Sequence, residues 1–212
     1  MNELRTLALK LGERLKLPLP GLGSQLMMAS KKRLQFPFAT ASMRKAIPSG
    51  VLILLYLQDG DMHFVLMRRP DYGGVHSKQI SLPGGKFEPG DRDLIQTAIR
   101  EAKEEVGIDP SAVKLLGTLT PLYIPPSNYI VTPVVSWTET KPEFTREPRE
   151  VDEIIEVKLD DFLNDKYVQT KRIRLFMGIA ANFPCFFIDG NVIWGATAMI
   201  LSEFRVILKE IM

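Results

Sequence analysis

The chain has 212 residues, of which 45% are hydrophobic and 25% are charged, and its formal net charge is +2 at pH 7. Such values are typical of a soluble globular protein with one hydrophobic core, so we expect a single domain over residues 1–212. The small net charge argues neither for nor against a polyanionic partner, but the lack of a long basic run argues against a nucleic-acid partner. No stretch reaches the roughly 18 apolar residues of a membrane span. No apolar signal-peptide segment begins the chain, and the single Cys185 has no intrachain partner, so a reducing cytoplasm is expected.

The N-terminal part is predicted to be one helix followed by an arm. Residues 2–16 fit an amphipathic helix whose apolar stripe is formed by Leu4, Leu7, Leu11 and Leu15. Prolines 18 and 20 end this pattern, and the four prolines between residues 18 and 48 indicate an irregular arm. We therefore expect residues 1–48 to wrap a core formed by residues 49–212.

The core is predicted to begin with a hairpin. The apolar run from Val51 to Leu57 is typical of a strand buried on both faces, and Asp59-Gly60-Asp61 turns the chain into a second strand at 63–67. A polar loop follows at 70–79. Downstream, the pattern predicts strands at 113–122, 129–138 and 151–159, an exposed loop at 139–150, a short helix from Asp160, a hairpin at 185–194 and a final helix at 196–211. Strands mixed with a few helices predict an α+β sandwich.

A glycine-rich loop at Gly84-Gly85 leads into a helical pattern that ends in three acids, Glu101, Glu104 and Glu105. Residues three and four apart lie side by side on a helix, so the three carboxylates are expected to share one face. Their mutual repulsion would become attraction around a hard divalent cation, since Mg²⁺ prefers oxygen ligands and is usually held together with substrate phosphates. The loop and the acids together therefore predict a metal site.

This stretch resembles the Nudix box, the loop–helix–loop segment of the Nudix hydrolases. Gly85 opens it, and residues 100–108 match the second half of the pattern position by position, with Ala102 as the apolar position. Two departures lie in the first half: Asp91 stands where the family has Glu, and eight residues rather than seven separate it from Arg100. The longer spacing and the Pro-Gly-Gly-Lys loop are similar to the coenzyme A pyrophosphatase branch. The resemblance implies a mixed β-sheet sandwiched between helices, with a catalytic core.

The resemblance also implies roles for the residues of the box. Glu101, Glu104 and Glu105 would bind Mg²⁺ or Mn²⁺, with the Gly85 carbonyl completing the site. Arg100 would orient the helix carboxylates through charge-assisted hydrogen bonds. The general base stays open, because the family recruits it from several places: Glu104 or Glu105 are candidates, and so are two acids outside the box, Glu150 and Glu153.

Cationic substrate contacts are expected upstream of the box. The coenzyme A branch carries an arginine-rich motif there, of which this chain keeps Arg69 and Pro83-Gly84-Gly85 but has Gly74 where the branch has a second Arg. The missing cation could be replaced by another side chain. The candidates for substrate binding are Arg68, Arg69, Lys78 and Lys86, with His76 as a further possibility.

Three functions follow from this comparison. The first is a metal-dependent hydrolase that cleaves coenzyme A or acyl-coenzyme A to 3′,5′-ADP and (acyl-)phosphopantetheine. The second keeps the chemistry but acts on ADP-ribose, a dinucleotide or a nucleoside triphosphate. The third is a non-catalytic nucleotide-binding module, which has no need of three clustered carboxylates. A small-molecule nucleoside diphosphate derivative is the expected partner, and a homodimer is possible because many proteins of the family are dimers.

Overall fold

The computed structural model describes residues 3–31, 33, 45–73, 77–174 and 180–212. Its helices are α1 (Glu3–Arg14), α2 (Gly21–Leu26), α3 (Leu94–Val106), α4 (Leu159–Leu163) and α5 (Gly195–Ile211). Its strands are β1 (Ile47–Gln58), β2 (Asp61–Arg68), β3 (Ile80–Ser81), β4 (Gly84–Lys86), β5 (Lys114–Thr118), β6 (Leu122–Ile124), β7 (Tyr129–Trp137), β8 (Glu153–Lys158), β9 (Val168–Arg174), β10 (Ala180–Ile188) and β11 (Asn191–Trp194). None of the described helices is long and apolar enough to cross a membrane.

The strands form a large mixed sheet and a small antiparallel one. The path of the eight-stranded sheet is β3-β2-β1-β7-β5, with β4, β6 and β8 pairing to β1, β7 and β2. Only β1 and β7 run parallel among these pairs, in a register that joins Ile47 to Tyr129 and Leu55 to Trp137. The three-stranded sheet has the order β11-β10-β9. The mixed α+β architecture predicted from the sequence is therefore confirmed.

Helices cover both faces of the large sheet because its central strand is apolar on both sides. Residues 52–56 of β1 are fully buried, as the continuous apolar run predicts. Leu52 and Leu54 pack in the cluster that includes Ala98 and Ala102 of α3. The alternate residues, Ile53 and Leu55, pack in the cluster formed with α1 and α5. At roughly 25 cal/mol per Å² of apolar surface, burial on both faces is the main stabilisation of this strand.

The N-terminal helix is confirmed, but the described part of the arm, residues 18–31, 33 and 45–48, is more ordered than predicted, and the rest of the arm lies outside the described residues. Leu4, Leu7 and Leu11 are buried against the core. Residues 18–48 were expected to be irregular, whereas the structure forms α2 within them and begins β1 at Ile47. The sequence of α2 gives little helical signal because it is six residues long and begins after a proline. Its order depends on tertiary contacts, chiefly with α5.

A buried glutamate on α5 holds α2 in place. Glu203 is fully buried, and its carboxylate accepts hydrogen bonds from the Gly21 N–H at 2.9 Å, the Gln25 side-chain amide at 2.9 Å and the Thr120 hydroxyl at 2.6 Å. The Thr120 N–H adds a fourth bond at 3.2 Å. A buried charge is tolerated when hydrogen bonds replace its hydration. Glu203 therefore joins the α2 segment, the β5–β6 connection and α5.

Three other expectations need correction. The segment 113–122 was expected to be one strand, but it forms β5 and β6, with a register shift at Gly117 in β5 and a break before Leu122. The Gly84–Lys86 loop forms a short strand that pairs with β1. Strand β9 was not predicted, because its alternating charged residues bury little apolar surface and its order comes from pairing with β10. The 185–194 hairpin and the final helix are confirmed.

Candidate metal and diphosphate site

The helix α3 carries the three acids predicted to bind metal, and both of its ends are capped. Asp93 accepts a hydrogen bond from the Gln96 N–H at its start, and Gly107 ends it in the left-handed conformation with φ of 75°. A buried stripe that includes Ala98, Ala102 and Val106 packs on the sheet. This packing fixes the rotation of the helix, so its acidic face turns toward the Gly84–Gly85 strand.

Glu105 is the most buried of the three acids. Its side chain lies next to β4, where its carboxylate accepts a 2.7 Å hydrogen bond from the Gly84 N–H, and the residue is 2% exposed. Loss of hydration raises the pKa of Glu105 to about 8, although the nearby Arg69 and the Gly84 N–H oppose the rise. A buried carboxylate with so little compensation favours a proton or a cation beside it.

Glu101 lies against Gly85, one turn before Glu105. A Cβ atom at Gly85 would come within 2.5 Å of both carboxylate oxygens of Glu101, so glycine is required for this close approach. Partial burial raises the pKa of Glu101, with Arg100 opposing the rise. Glu104 is more open, with 55% of its side chain exposed. Glu101 and Glu105 therefore lie beside the Gly84–Gly85 segment, whereas Glu104 lies at the exposed side of the helix and contacts Arg100. A shared metal site of the three acids stays a prediction.

Arg100 is the centre of the hydrogen-bond network at this site. It donates two bonds to Asp91, from Nε at 2.9 Å and from Nη2 at 3.0 Å. Its Nη1 lies 3.0 Å from oxygens of both Glu101 and Glu104, and its Nη2 also donates to the Lys86 carbonyl at 3.2 Å. Arg100 thus contacts two of the three helix acids, and its orienting role in catalysis stays a prediction.

Asp91 has a role that the sequence did not reveal. It is 7% exposed and accepts from the Thr97 hydroxyl at 2.9 Å and the Glu88 N–H at 3.0 Å, in addition to Arg100. The bidentate Arg100 contact holds the pKa of Asp91 well below its usual value. Asp91 therefore anchors Arg100, and the shorter side chain that departs from the family pattern still reaches the guanidinium.

The three glutamates of α3 offer the oxygen ligands that a divalent cation prefers, but their side chains do not converge on one point. Within the described ranges, no three acidic, histidine or cysteine side chains lie close enough together to hold a metal ion as placed. The reason is visible in the contacts: Arg100 holds Glu101 and Glu104, and the Gly84 N–H holds Glu105. Two of the three carboxylates have raised pKa values, and the missing Cβ of Gly85 lets the Glu101 carboxylate lie against the backbone of β4. A divalent cation would compete with Arg100 for these oxygens.

Of the two acids outside the box, the structure brings Glu150 near the cluster. Its negative charge helps to raise the pKa of both Glu101 and Glu105. Glu150 also lines a cavity of about 600 Å³ beside Glu104, together with Glu147 and Arg149. The sequence analysis did not identify Glu147 or Arg149 as candidates. Glu153 instead accepts a 2.9 Å hydrogen bond from Arg68 across the β2–β8 pair.

The four predicted substrate cations are separated by the structure. Arg69 lies near Glu105, as its effect on the pKa of that acid indicates. Lys86 is exposed on β4, with its Nζ 3.9 Å from Glu88. Arg68 donates to Glu153 and, at 2.7 Å, to Asn191 of β11, so it belongs to a contact between the two sheets. Lys78 forms an exposed 2.7 Å ion pair with Asp71. Gly74 and His76 lie outside the described residues.

Burial of Glu105 makes the stability of the metal-free protein depend on pH. The folded pKa of about 8 exceeds the ordinary 4.5, so this contribution is fully present below pH 4.5 and is lost as pH rises through 8. The free energy of unfolding in EDTA should therefore fall by roughly 3–5 kcal/mol over this window, and Glu105→Gln should remove most of the slope. Urea unfolding at pH 5, 7 and 8.5 measures both proteins. Parallel profiles for the two would contradict the assignment.

Comparison with known proteins agrees with the geometry. The family model described as the NUDIX domain matches residues 47–176. Nudix hydrolase 22, chloroplastic, from Arabidopsis thaliana is 36% identical over 171 residues, which cover 76% of this chain and 55% of that protein. The uncharacterized Nudix hydrolase NudL from Yersinia pestis (strain Pestoides F) is 37% identical over 139 residues, or 66% of this chain and 69% of the relative.

The chain thus spans little more than half the length of the Arabidopsis relative and about two thirds of the Yersinia one. Among solved structures, the Nudix hydrolase RenU from M. Smegmatis is similar with a TM-score of 0.50 and 15% identity, covering 78% of this chain and 88% of that one. At this identity the likeness shows the fold alone. The domain match and the relatives agree with the glutamate helix and its glycine loop, and the chain belongs to the Nudix family.

Proposed function

We propose that the protein is a Mg²⁺- or Mn²⁺-dependent hydrolase that cleaves the diphosphate of a nucleoside diphosphate derivative. The observation that carries the proposal is the burial of Glu105 and the partial burial of Glu101 beside the Gly84–Gly85 strand, since a pure binding module gains nothing from these repelling acids. Glu101, Glu104, Glu105 and the Gly85 carbonyl would hold the metal. When bound, a divalent ion neutralises phosphate charge and lowers the pKa of a water molecule.

The side chains around the cluster would bind and orient the reactants. Arg69 would pair with a substrate phosphate, because its positive charge lies close enough to Glu105 to lower the pKa of that acid. Glu150 is the outside acid best placed to accept a proton from the attacking water, since its charge is felt by both Glu101 and Glu105. Arg100, held by Asp91, would keep the helix carboxylates in position.

For the substrate, we propose coenzyme A or an acyl-coenzyme A, with 3′,5′-ADP and (acyl-)phosphopantetheine as products. The support is the eight-residue spacing between Asp91 and Arg100 and the Pro-Gly-Gly-Lys loop. A panel of coenzyme A, dephospho-coenzyme A, ADP-ribose, a dinucleotide and a nucleoside triphosphate, each at the same low concentration, tests the choice. Coenzyme A should be cleaved fastest. Faster cleavage of ADP-ribose would reject coenzyme A and leave the diphosphate chemistry standing.

Metal binding should stabilise the fold. A ligand that binds only the folded state raises its stability by mass action, and the metal would relieve the repulsion among the three acids. Thermal unfolding with millimolar Mg²⁺ or Mn²⁺ should therefore occur a few degrees above that in EDTA. The increase should be lost in Glu105→Gln. Equal melting temperatures with saturating metal and with EDTA would mean that the three acids do not bind a divalent ion in the folded protein.

A cytoplasmic location and a homodimer are part of the same proposal. Cys185 is buried and free, which suits a reducing compartment, although two of the relatives are named chloroplastic and mitochondrial.

Sedimentation of the full chain at micromolar concentration should give twice the monomer mass. A monomer under these conditions would reject the dimer.

A further inference from the structure

The cavity beside Glu104 has an unusual balance of charge. Three of its four lining residues are acids, Glu104, Glu147 and Glu150, and the fourth is Arg149. A diphosphate entering this acidic cavity would be repelled unless cations offset the charge. A bound divalent ion would supply part of that offset near α3. On the side of the cavity that the 147–150 turn forms, Arg149 is the residue that can offset the negative charge.

The turn that carries Arg149 is fixed to the C-terminal end of α3. The Glu147 N–H donates to the Glu105 carbonyl at 2.9 Å, and the Thr145 N–H donates to the Val106 carbonyl at 3.0 Å. The turn is closed by the Val151 N–H, which donates to the Glu147 carbonyl at 2.8 Å. Because one anchor is the backbone of Glu105 itself, the position of Arg149 is set relative to the metal-binding face of the helix.

The Arg149 guanidinium is available for a ligand. Its backbone N–H donates to the Glu147 carboxylate at 3.2 Å, but in the part of the chain that the structure describes no acceptor is found for its side chain. Arg100, by contrast, already contacts Asp91, both neighbouring glutamates and the Lys86 carbonyl. A phosphate would have to compete with these partners to bind Arg100, whereas no described side-chain partner of Arg149 would have to be displaced.

We propose that Arg149 forms a phosphate subsite at the rim of the carboxylate cluster and pairs with the diphosphate of a bound nucleotide. This inference rests on the function proposed above. A guanidinium suits the role because its planar fork donates two parallel hydrogen bonds to a phosphate group, and it remains charged at every physiological pH. The turn fixes the backbone of Arg149 relative to α3, so only its side chain has to become ordered when the ligand binds.

Binding of ADP to the full chain in Mg²⁺, measured by titration calorimetry, tests the subsite without turnover. Arg149→Ala should weaken the affinity roughly tenfold to a hundredfold, the range expected for a lost charge-assisted pair. The affinity of Arg149→Lys for ADP should lie between those of the wild type and Arg149→Ala, since lysine keeps the charge but not the forked pair of donors. The matched control is Arg172→Ala on β9, an exposed arginine outside the cavity, which should bind ADP as the wild type does.

Kinetics separate binding from a structural effect. Loss of a contact made equally in the ground and transition states raises KM and leaves kcat nearly unchanged. Arg149→Ala should therefore raise KM without lowering kcat. Its melting temperature should equal that of the wild type. Wild-type affinity for ADP in Arg149→Ala, an equal loss in Arg172→Ala, or no ADP binding by the wild type would each overturn the subsite. If the wild type binds ADP through Arg149 but cleaves no diphosphate, the subsite stands and the proposed hydrolase activity fails.

Discussion

Replacing Glu104 with Gln is expected to lower kcat on a diphosphate substrate by about two orders of magnitude or more, because a lost metal ligand removes stabilisation of the transition-state charge. The fold should be unaffected, since 55% of the Glu104 side chain is exposed and its only described partner is Arg100 on the same helix. Steady-state assays in Mg²⁺ and in Mn²⁺, with matched thermal melts, measure both effects.

The control for this variant is Glu143→Gln. Glu143 is an exposed acid in the segment that follows β7, and no described hydrogen bond or ion pair joins it to the three acids of α3, so removal of its charge should leave kcat within about twofold. Near-wild-type turnover in Glu104→Gln, or an equal loss in both variants, would show that Glu104 does not bind a metal needed for the reaction.

The largest loss of stability is expected from Glu203→Leu. The change leaves the Gly21 N–H, the Gln25 amide and the Thr120 donors without their acceptor in a buried site. Each buried, unsatisfied donor costs about 1–3 kcal/mol, so the free energy of unfolding should fall by about 3–5 kcal/mol. Urea unfolding at neutral pH measures the loss.

The matched control on the same helix is Glu210→Gln. Glu210 pairs with Arg14 at 2.6 Å but is 43% exposed, so the loss should be about 1 kcal/mol or less. The Glu203 variant should also show faster hydrogen exchange in α2, because that helix depends on the buried carboxylate. A loss below about 1 kcal/mol for Glu203→Leu would mean that apolar packing alone holds α2 against α5.

The helices and strands that have a clear hydrophobic pattern within a short stretch of sequence were predictable. The apolar run at 51–57 identified the central strand, and the spacing of Leu4, Leu7 and Leu11 identified α1. The elements that were missed depend on distant partners. Helix α2 is tied to Glu203, about 180 positions away, and β9 gains its order from β10. No pattern within a short window contains these contacts.

The same distinction applies to the candidate site. The helical spacing of Glu101, Glu104 and Glu105 predicted that they share a face, because that geometry is local. The anchor of Arg100 on Asp91 and the attachment of the 147–150 turn to α3 required the folded chain. Lys78 and Arg68 were proposed as replacements for the cation missing at Gly74, and only the folded chain shows that they pair with Asp71 and Glu153. Their role in substrate binding stays a prediction.

Phosphorus NMR of coenzyme A incubated with the protein tests the central claim most directly. Cleavage at the diphosphate should replace its signals with those of two phosphomonoesters, 3′,5′-ADP and phosphopantetheine, in Mg²⁺ and not in EDTA. The Glu104→Gln protein should leave the diphosphate signals almost unchanged over the same time. Persistence of the diphosphate in coenzyme A, ADP-ribose and a dinucleotide alike, or its loss at the same rate in EDTA, would contradict a metal-dependent diphosphate hydrolase built on α3.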